Sequence, residues 1–325
     1  GHTIYNAVMD LPDASYVGLF GHTGPSAVIR NLRLENADIT GKFWVGALAG
    51  KMEGTSLENV GVHGTVTGVA YVGAMVGSIT GTTNTMTRGD AAGTVTGSRY
   101  VGGLAGFLWG ATLENCYTQA AVVGVVDAGG GSHQDIGGLI GKTYETTGNT
   151  NMVSACYAAG PITLAPSTPN VGGLVGLYEG GTFTNCFWDA QVSGQATSPV
   201  GLGKTTAQMK RRDTFTAAGW DFVDVWANGQ HQTYPYLRLR PAADIDGDGW
   251  VNLEDLAILS AQWLNGTPAI PDYDGIEWVY IDDDGSGMKD SNGDPISQGG
   301  FTGYMSKYET TNAQYAQYLN AAKSS

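Results

Sequence analysis

The chain is poor in charge: only 14% of its 325 residues are Asp, Glu, Lys or Arg. Basic residues are the scarcer sign, 16 against 30 acidic ones, giving a formal net charge of −14. Neutralising nucleic-acid phosphates takes clustered Lys and Arg, so nucleic acid is excluded as a partner. The one basic cluster, Lys210-Arg211-Arg212, is short and reads as solvated surface. No run of 18 apolar residues occurs, so no segment reads as a membrane span. Cysteine is limited to three residues, Cys116, Cys156 and Cys186. Their wide separation gives no short Cys-x-x-Cys pair of the kind a zinc site uses, and an odd count leaves one thiol over from any disulfide. A signal peptide is also missing from the start. GHTIYNAVMD reads as the middle of a strand pattern and NAAKSS follows a helical one, so the expectation is a fragment at both ends.

Glycine, by contrast, is abundant, at 50 residues, beside 42% hydrophobic content and 16 Tyr. That much apolar surface can be buried, which argues against a disordered chain. The glycines also recur at fixed places. WVGALAGKMEGTSLENVGV from Trp44, YVGGLAGFLWGATLENCY from Tyr100 and VGGLVGLYEGGTFTNCFWD from Val171 are one phrase. Units begin near Tyr16, Trp44, Tyr71, Tyr100, Ile136 and Val171. Their spacing, 27 to 29 residues and then about 35, is the period of a solenoid, propeller or array. Short runs rich in Val, Leu, Thr and Tyr, cut by Gly, are strands separated by turns. The reading is a mainly β fold, a right-handed β-solenoid of about six coils, with coils stacked roughly 4.8 Å apart.

In this frame Leu57, Leu113, Val153 and Phe183 stack inward. Asn36, Asn59, Asn115 and Asn185 form an Asn ladder, which Arg88 interrupts. The three cysteines fall at one position of successive coils as small buried hydrophobes. A disulfide is conceivable, but the rung spacing exceeds the usual Cβ separation of about 3.8 Å.

VGGLVG, a glycine turn and then TNCFWD resembles the GLUG-motif repeat of large bacterial surface proteins, over roughly residues 1 to 240. The resemblance implies an extracellular or bacterial cell-surface β-solenoid and no particular reaction. Residues 1–200 are then the repeats. Residues 201–240, with AGWDFVDVW and YPYLR, resemble the terminal cap of such arrays. SPVGLGKTT within this stretch is not a phosphate-binding loop, because Ser198 stands where the motif needs Gly, so no nucleotide is expected.

Most of the negative charge sits further on: residues 241–294 hold 13 acidic side chains and one Lys. Within them, ADIDGDGWVNLED fits a calcium loop. Asp244, Asp246 and Asp248 take positions 1, 3 and 5, Gly249 the sharp turn, Trp250 the carbonyl at 7, Asn252 position 9 and Asp255 position 12. Hard oxygen donors at these spacings suit Ca²⁺, and the apolar face from Leu253 to Leu264 has helical spacing. An Asp at position 12 and no preceding helix resemble a dockerin-type repeat over residues 241–270, which implies a cohesin-like partner. Dockerins carry two repeats. The second stretch here, Asp282-Asp283-Asp284, has Gly293 at position 12, so the module reads equally as a calcium-stiffened joint. In residues 271–325, GYMSKYETTNAQYAQYLNAA resembles the start of a formylglycine-generating, sulfatase-modifying domain, truncated before its active-site cysteines. A strand at 304–308 and a helix at 313–322 are expected there.

Three function classes follow. The first is a non-enzymatic surface scaffold or adhesin. The second is a polysaccharide-degrading β-helix using carboxylates paired at about 5 to 9 Å; Glu35 and Glu58 align as neighbours, with Glu114 beyond, but a repeated slot signals architecture. The third is a binder of surface polysaccharide through Trp44, Tyr71 and Tyr100, which coil packing explains as well.

Overall fold

A computed structural model of the chain describes residues 2–126, 134–165, 170–229 and 231–238, and the backbone of two strands, Trp278–Asp282 and Thr302–Ser306. Two compact units are present, Gly1–Asp255 and Leu256–Ser325. The first is the β-solenoid expected from the repeats. One wall is a six-stranded parallel sheet with one strand from each coil. Val17, Val45, Val72, Val101, Ile136 and Val171 lie side by side along it. The remaining strands of the coils join a second, 18-stranded sheet. We number the coils 1 to 6 from Tyr16, Trp44, Tyr71, Tyr100, Asp135 and Asn170.

The repeated glycine phrase has a steric cause. In coil 4, a Cβ on Gly102 would meet the Ala105 carbonyl, and one on Gly106 would lie 2.6 Å from the Tyr100 carbonyl oxygen. Two strands of a coil cross here at backbone contact, where only Gly fits. The apolar residues between these glycines, Leu48, Met75, Leu104, Leu139 and Leu174, are fully buried. A single coil cannot enclose such a row. Stacking closes it, as in other solenoids.

Opposite, Ile29, Leu57, Met86, Leu113, Val153 and Phe183 form one inward column. The cysteines follow the register of Tyr117, Tyr157 and Phe187, so they stack as expected. All three are buried free thiols. Burial pushes the Cys156 thiol well up, and its two neighbouring thiols add to this.

The Asn ladder needs one correction. Its members are Asn31, Asn59, Arg88, Asn115, Ala155 and Asn185, all at positive φ between 49° and 57°. Asn tolerates this left-handed corner better than most residues, and the Asn59 amide donates to Asn31 Oδ1 at 2.8 Å. Asn36 is not a member. It sits at a separate corner, where its amide donates to Asn6 at 3.4 Å.

After coil 6, Leu202–Lys204 adds one more parallel strand beside Phe187–Asp189. The aromatic segment that follows does not stay at this end. From a capping box at Thr205 and Gln208, it folds back along the side of the column. Trp220 donates to the Asn185 carbonyl of coil 6 (3.0 Å), Trp226 to Asn115 of coil 4 (3.1 Å), and Arg88 of coil 3 donates to the Asp224 carbonyl (2.9 Å). Trp220, Phe222 and Trp226 are buried, while Tyr236 is exposed.

In the second unit Trp278–Asp282 and Thr302–Ser306 pair antiparallel, with Tyr280 opposite Tyr304. The second strand begins two residues before the expected one. The helix expected at 313–322 lies outside the described residues.

Candidate functional site

The six-stranded wall carries an aromatic ladder at its edge. Tyr16, Trp44, Tyr71 and Tyr100 sit at one position of coils 1 to 4, just before the buried Val of each coil. Each is at positive φ, 53° to 60°. Bulky residues avoid this region, and such strain is held by surrounding structure, often at a functional site. Here stacking offsets part of it. Ring centroids are 4.7 Å apart for Tyr16–Trp44, 5.2 Å for Trp44–Tyr71 and 4.6 Å for Tyr71–Tyr100. The first two pairs are within 12° of parallel, so these rings cover one another's faces and present edges outward. Burial raises the Tyr71 phenol above its ordinary pKa, with Tyr100 adding to the shift. In coils 5 and 6 the position holds Asp135 and Asn170, and the ladder stops.

Beside the ladder runs a groove of about 350 Å³. Its floor is Lys51, Ser78 and Phe107, one outward column of coils 2 to 4. Ser78 is the small member and makes the dip. The far wall is Thr80, Trp109 and Tyr144. Trp109 and Tyr144 are 6.2 Å apart and tilted by 59°, so neither ring covers the other. The Trp109 Nε1–H donates to Thr146 Oγ1 at 3.0 Å and fixes that ring. Lys51 is held by Glu53 at 3.2 Å.

A second cluster, on the other sheet, escaped the sequence reading. Arg33 of coil 1 donates two hydrogen bonds of 3.0 Å to Asp90 of coil 3. Gly61 lies on the rung between, and a Cβ there would strike the guanidinium. His63 bridges two carboxylates, Nδ1 to Glu35 at 3.0 Å and Nε2 to Asp90 at 3.2 Å. Burial pushes the Asp90 carboxyl up, but the bonds from His63 and Arg33 outweigh it and hold the pKa below the ordinary value. The Asp90 hydrogen bond raises His63 against burial. The only spelling of this cluster in the sequence is a lone glycine in its column.

These contacts correct the carboxylate alignment. Glu35 is not equivalent to Glu58; Arg30 is. Glu58 and Glu114 do share a column, with Thr87 on the rung between them. Glu35 instead belongs to the ion cluster, on a stretch where the strand register shifts. The basic trio is tied down locally, with Lys210 over the Tyr234 ring, Arg211 paired to Asp213 and Arg212 over Phe222. Lys204 of the false phosphate loop lies over Phe187. The predicted calcium ligands Asp244, Asp246, Asp248, Trp250, Asn252 and Asp255 all lie outside the described residues. Among the described residues no His, Cys, Asp or Glu group is arranged to hold a metal, and no helix is long and apolar enough to cross a membrane.

Comparison with known proteins agrees with the repeat. Residues 97–123, coil 4 with its lead-in, match the GLUG motif. A 106-residue stretch is 41% identical to a "Putative Gly-rich membrane protein" of Evansella cellulosilytica, covering 31% of this chain and 12% of that protein. A 66-residue stretch is 47% identical to "Halomucin" of Haloquadratum walsbyi, covering 20% of this chain and 1% of that protein. The chain thus spans a small part of the length of either relative. Among solved structures, a "putative immunoglobulin A1 protease" from Bacteroides ovatus overlays 73% of this chain and 75% of its own, at TM-score 0.47 and 15% identity. The chain carries a GLUG-motif match within a β-solenoid, and stretches of it are similar to parts of proteins named as a Gly-rich membrane protein and a halomucin.

Proposed function

We propose that this chain is a non-enzymatic cell-surface scaffold of the adhesion type, which holds a surface polysaccharide against its open aromatic face. The observation that carries the reading is the groove between the ladder and Trp109, an opening lined by aromatic side chains on a rigid wall. Binding sites built on such walls keep their geometry better than sites on loops. The ion cluster favours a scaffold over a hydrolase. Glu35 and Asp90 are spent on Arg33 and His63, where they tie three coils together. The names of the two sequence relatives, a membrane protein and a mucin, suit an extracellular setting.

In this reading the loop from Asp244 to Asp255 binds one Ca²⁺ and stiffens the joint to the domains that follow, and a cohesin-like protein is the partner to try on it. Its donor set, four Asp, one Asn and one carbonyl, is the hard-oxygen chemistry Ca²⁺ requires. Calorimetric titration with Ca²⁺ on the whole chain tests this. One saturable site, absent from the double variant Asp244→Ala/Asp248→Ala, is the expected result. No heat in the parent chain would reduce the segment to an acidic linker.

A further inference from the structure

We propose that the dip over Ser78 is a sugar subsite that takes one neutral hexopyranose unit of a polysaccharide, with Trp109 as its platform. The inference rests on the polysaccharide reading above and goes further by naming the subsite, the sugar charge and the residues that hold it.

Ser78 is 1% exposed, and its Oγ has no hydrogen-bond partner. It projects from its strand on the outward side, since the next residue, Ile79, is in the core. A buried hydroxyl left unpaired destabilises the fold, and such groups in native structures call for an explanation. Ser78 lines the groove, and a small shift of the side chains over it would let a ligand hydroxyl from the open side pair the buried Oγ.

What surrounds it selects the ligand. A pyranose ring has an apolar C–H face and a rim of hydroxyls, so it needs one uncovered aromatic face and polar groups at the side. The ladder rings cannot supply the face: they stack on one another, and the end rings, Tyr16 and Tyr100, have His22 and Lys142 against them. Trp109 can: its one ring neighbour among the described residues, Tyr144, is tilted away from it by 59°. Thr80 lies on the same wall between Ser78 and Trp109 and adds a second hydroxyl. The charged residue of the lining, Lys51, is already neutralised by Glu53, so an acidic sugar finds no free cation. The volume of about 350 Å³ lies at the small end of ligand sites, suited to one or two rings of a chain that passes out along the groove.

The test is affinity electrophoresis of the whole chain through gels containing neutral polysaccharides (a mixed-linkage β-glucan, a galactomannan, dextran) or acidic ones (alginate, polygalacturonate). Retardation by a neutral polymer is expected. Trp109→Ala should weaken it more than tenfold, as loss of an aromatic anchor does. Ser78→Ala should weaken it up to about tenfold, the effect of one hydrogen bond, while leaving Tm equal or higher, because an unpaired hydroxyl is removed. That opposite movement of stability and binding separates a binding role from a structural one. Retardation that both variants keep would overturn the subsite and leave the polysaccharide reading standing. So would retardation by acidic polymers alone, or a fall in Tm with Ser78→Ala. No retardation by any polymer would overturn both.

Discussion

Two columns of side chains climb this solenoid in opposite order. On the six-stranded wall, coils 1 to 4 present Tyr16, Trp44, Tyr71 and Tyr100, and coils 5 and 6 present Asp135 and Asn170. On the other sheet, coils 1 to 3 present Arg33, Gly61 and Asp90, and coils 4 to 6 present Tyr117, Tyr157 and Phe187. The aromatic half of the second column is covered by the chain itself: Trp226 lies within 6.1 Å of both Tyr117 and Tyr157, and Phe215 packs edge-on against Phe187. The aromatic half of the first column has no such cover among the described residues. One stack is a packing surface and the other faces outward. The difference lies in what the sequence provides to cover each, since the aromatic content of the two is alike.

The sharpest way to break the comparison is to remove the cover. Trp226 is fully buried between the column and Trp220, 4.5 Å away. Trp226→Ala should cost about 3 to 5 kcal/mol, measured as a shift in the denaturation midpoint. It should also raise amide exchange in residues 205–238 while leaving the coil strands protected. Equal loss of protection along coils 1 and 2 would mean that the two columns are one cooperative unit and that the contrast is superficial.

The polar half of the second column is the next target. Gly61 leaves the gap through which Arg33 reaches Asp90. Gly61→Ala places a methyl group against the guanidinium and should separate the pair, leaving a carboxylate that is only 5% exposed with His63 as its remaining partner. Breaking a buried pair in this way costs about 3 to 5 kcal/mol when nothing compensates. With Arg33 free to swing out and His63 still bound, roughly half of that is expected. The same substitution at Gly219, where nothing lies within 4 Å, has positive φ and should show only the smaller backbone strain. A loss at Gly61 no larger than at Gly219 would show that the ion cluster contributes nothing.

How much of this was legible in the sequence depends on what sets each feature. The fold was, because steric rules at Gly102 and Gly106 recur in every coil and write themselves as a phrase. The cysteine column and the inward column at Leu57 followed from the same period. The Asn and Glu columns were misaligned by a coincidence. Leu34-Glu35-Asn36 repeats Leu57-Glu58-Asn59 letter for letter, yet at a spacing of 23, and the 28-residue period points to Asn31 instead. The groove was half legible. The aromatics stood out, but which of them show a face and which an edge depends on ring angles that no spacing encodes. The Arg33–Asp90 pair skips a rung, so no repeat-based alignment pairs those residues. The fold-back of residues 205–238 was hidden for a related reason: aromatic content marks a cover but not the surface it covers.

The smallest effect, and the one that tests the cluster without a steric change, is its dependence on pH. His63 faces two carboxylates through both ring nitrogens, so only the doubly protonated ring satisfies both. Arg33 also lies against it, at 3.2 Å, and lowers its pKa, but the net shift is upward. A raised His pKa contributes stability that is fully present below the unfolded value of about 6.5 and is lost as pH rises through the higher folded value. Asp90 acts in the opposite sense. Its lowered pKa contributes stability present above the unfolded value of about 3.9 and lost as pH falls through the lower folded value. The cluster is therefore strongest between roughly pH 4 and 6.5. His63 is partly open to solvent, which weakens its share through screening, so the expected change is a modest fall in Tm between pH 6 and 8.5 that His63→Gln abolishes. The aromatic face, with no histidine among the residues lining its groove, should bind its polysaccharide equally at both pH values. A parallel loss of binding would mean that the two columns communicate through the core that separates them.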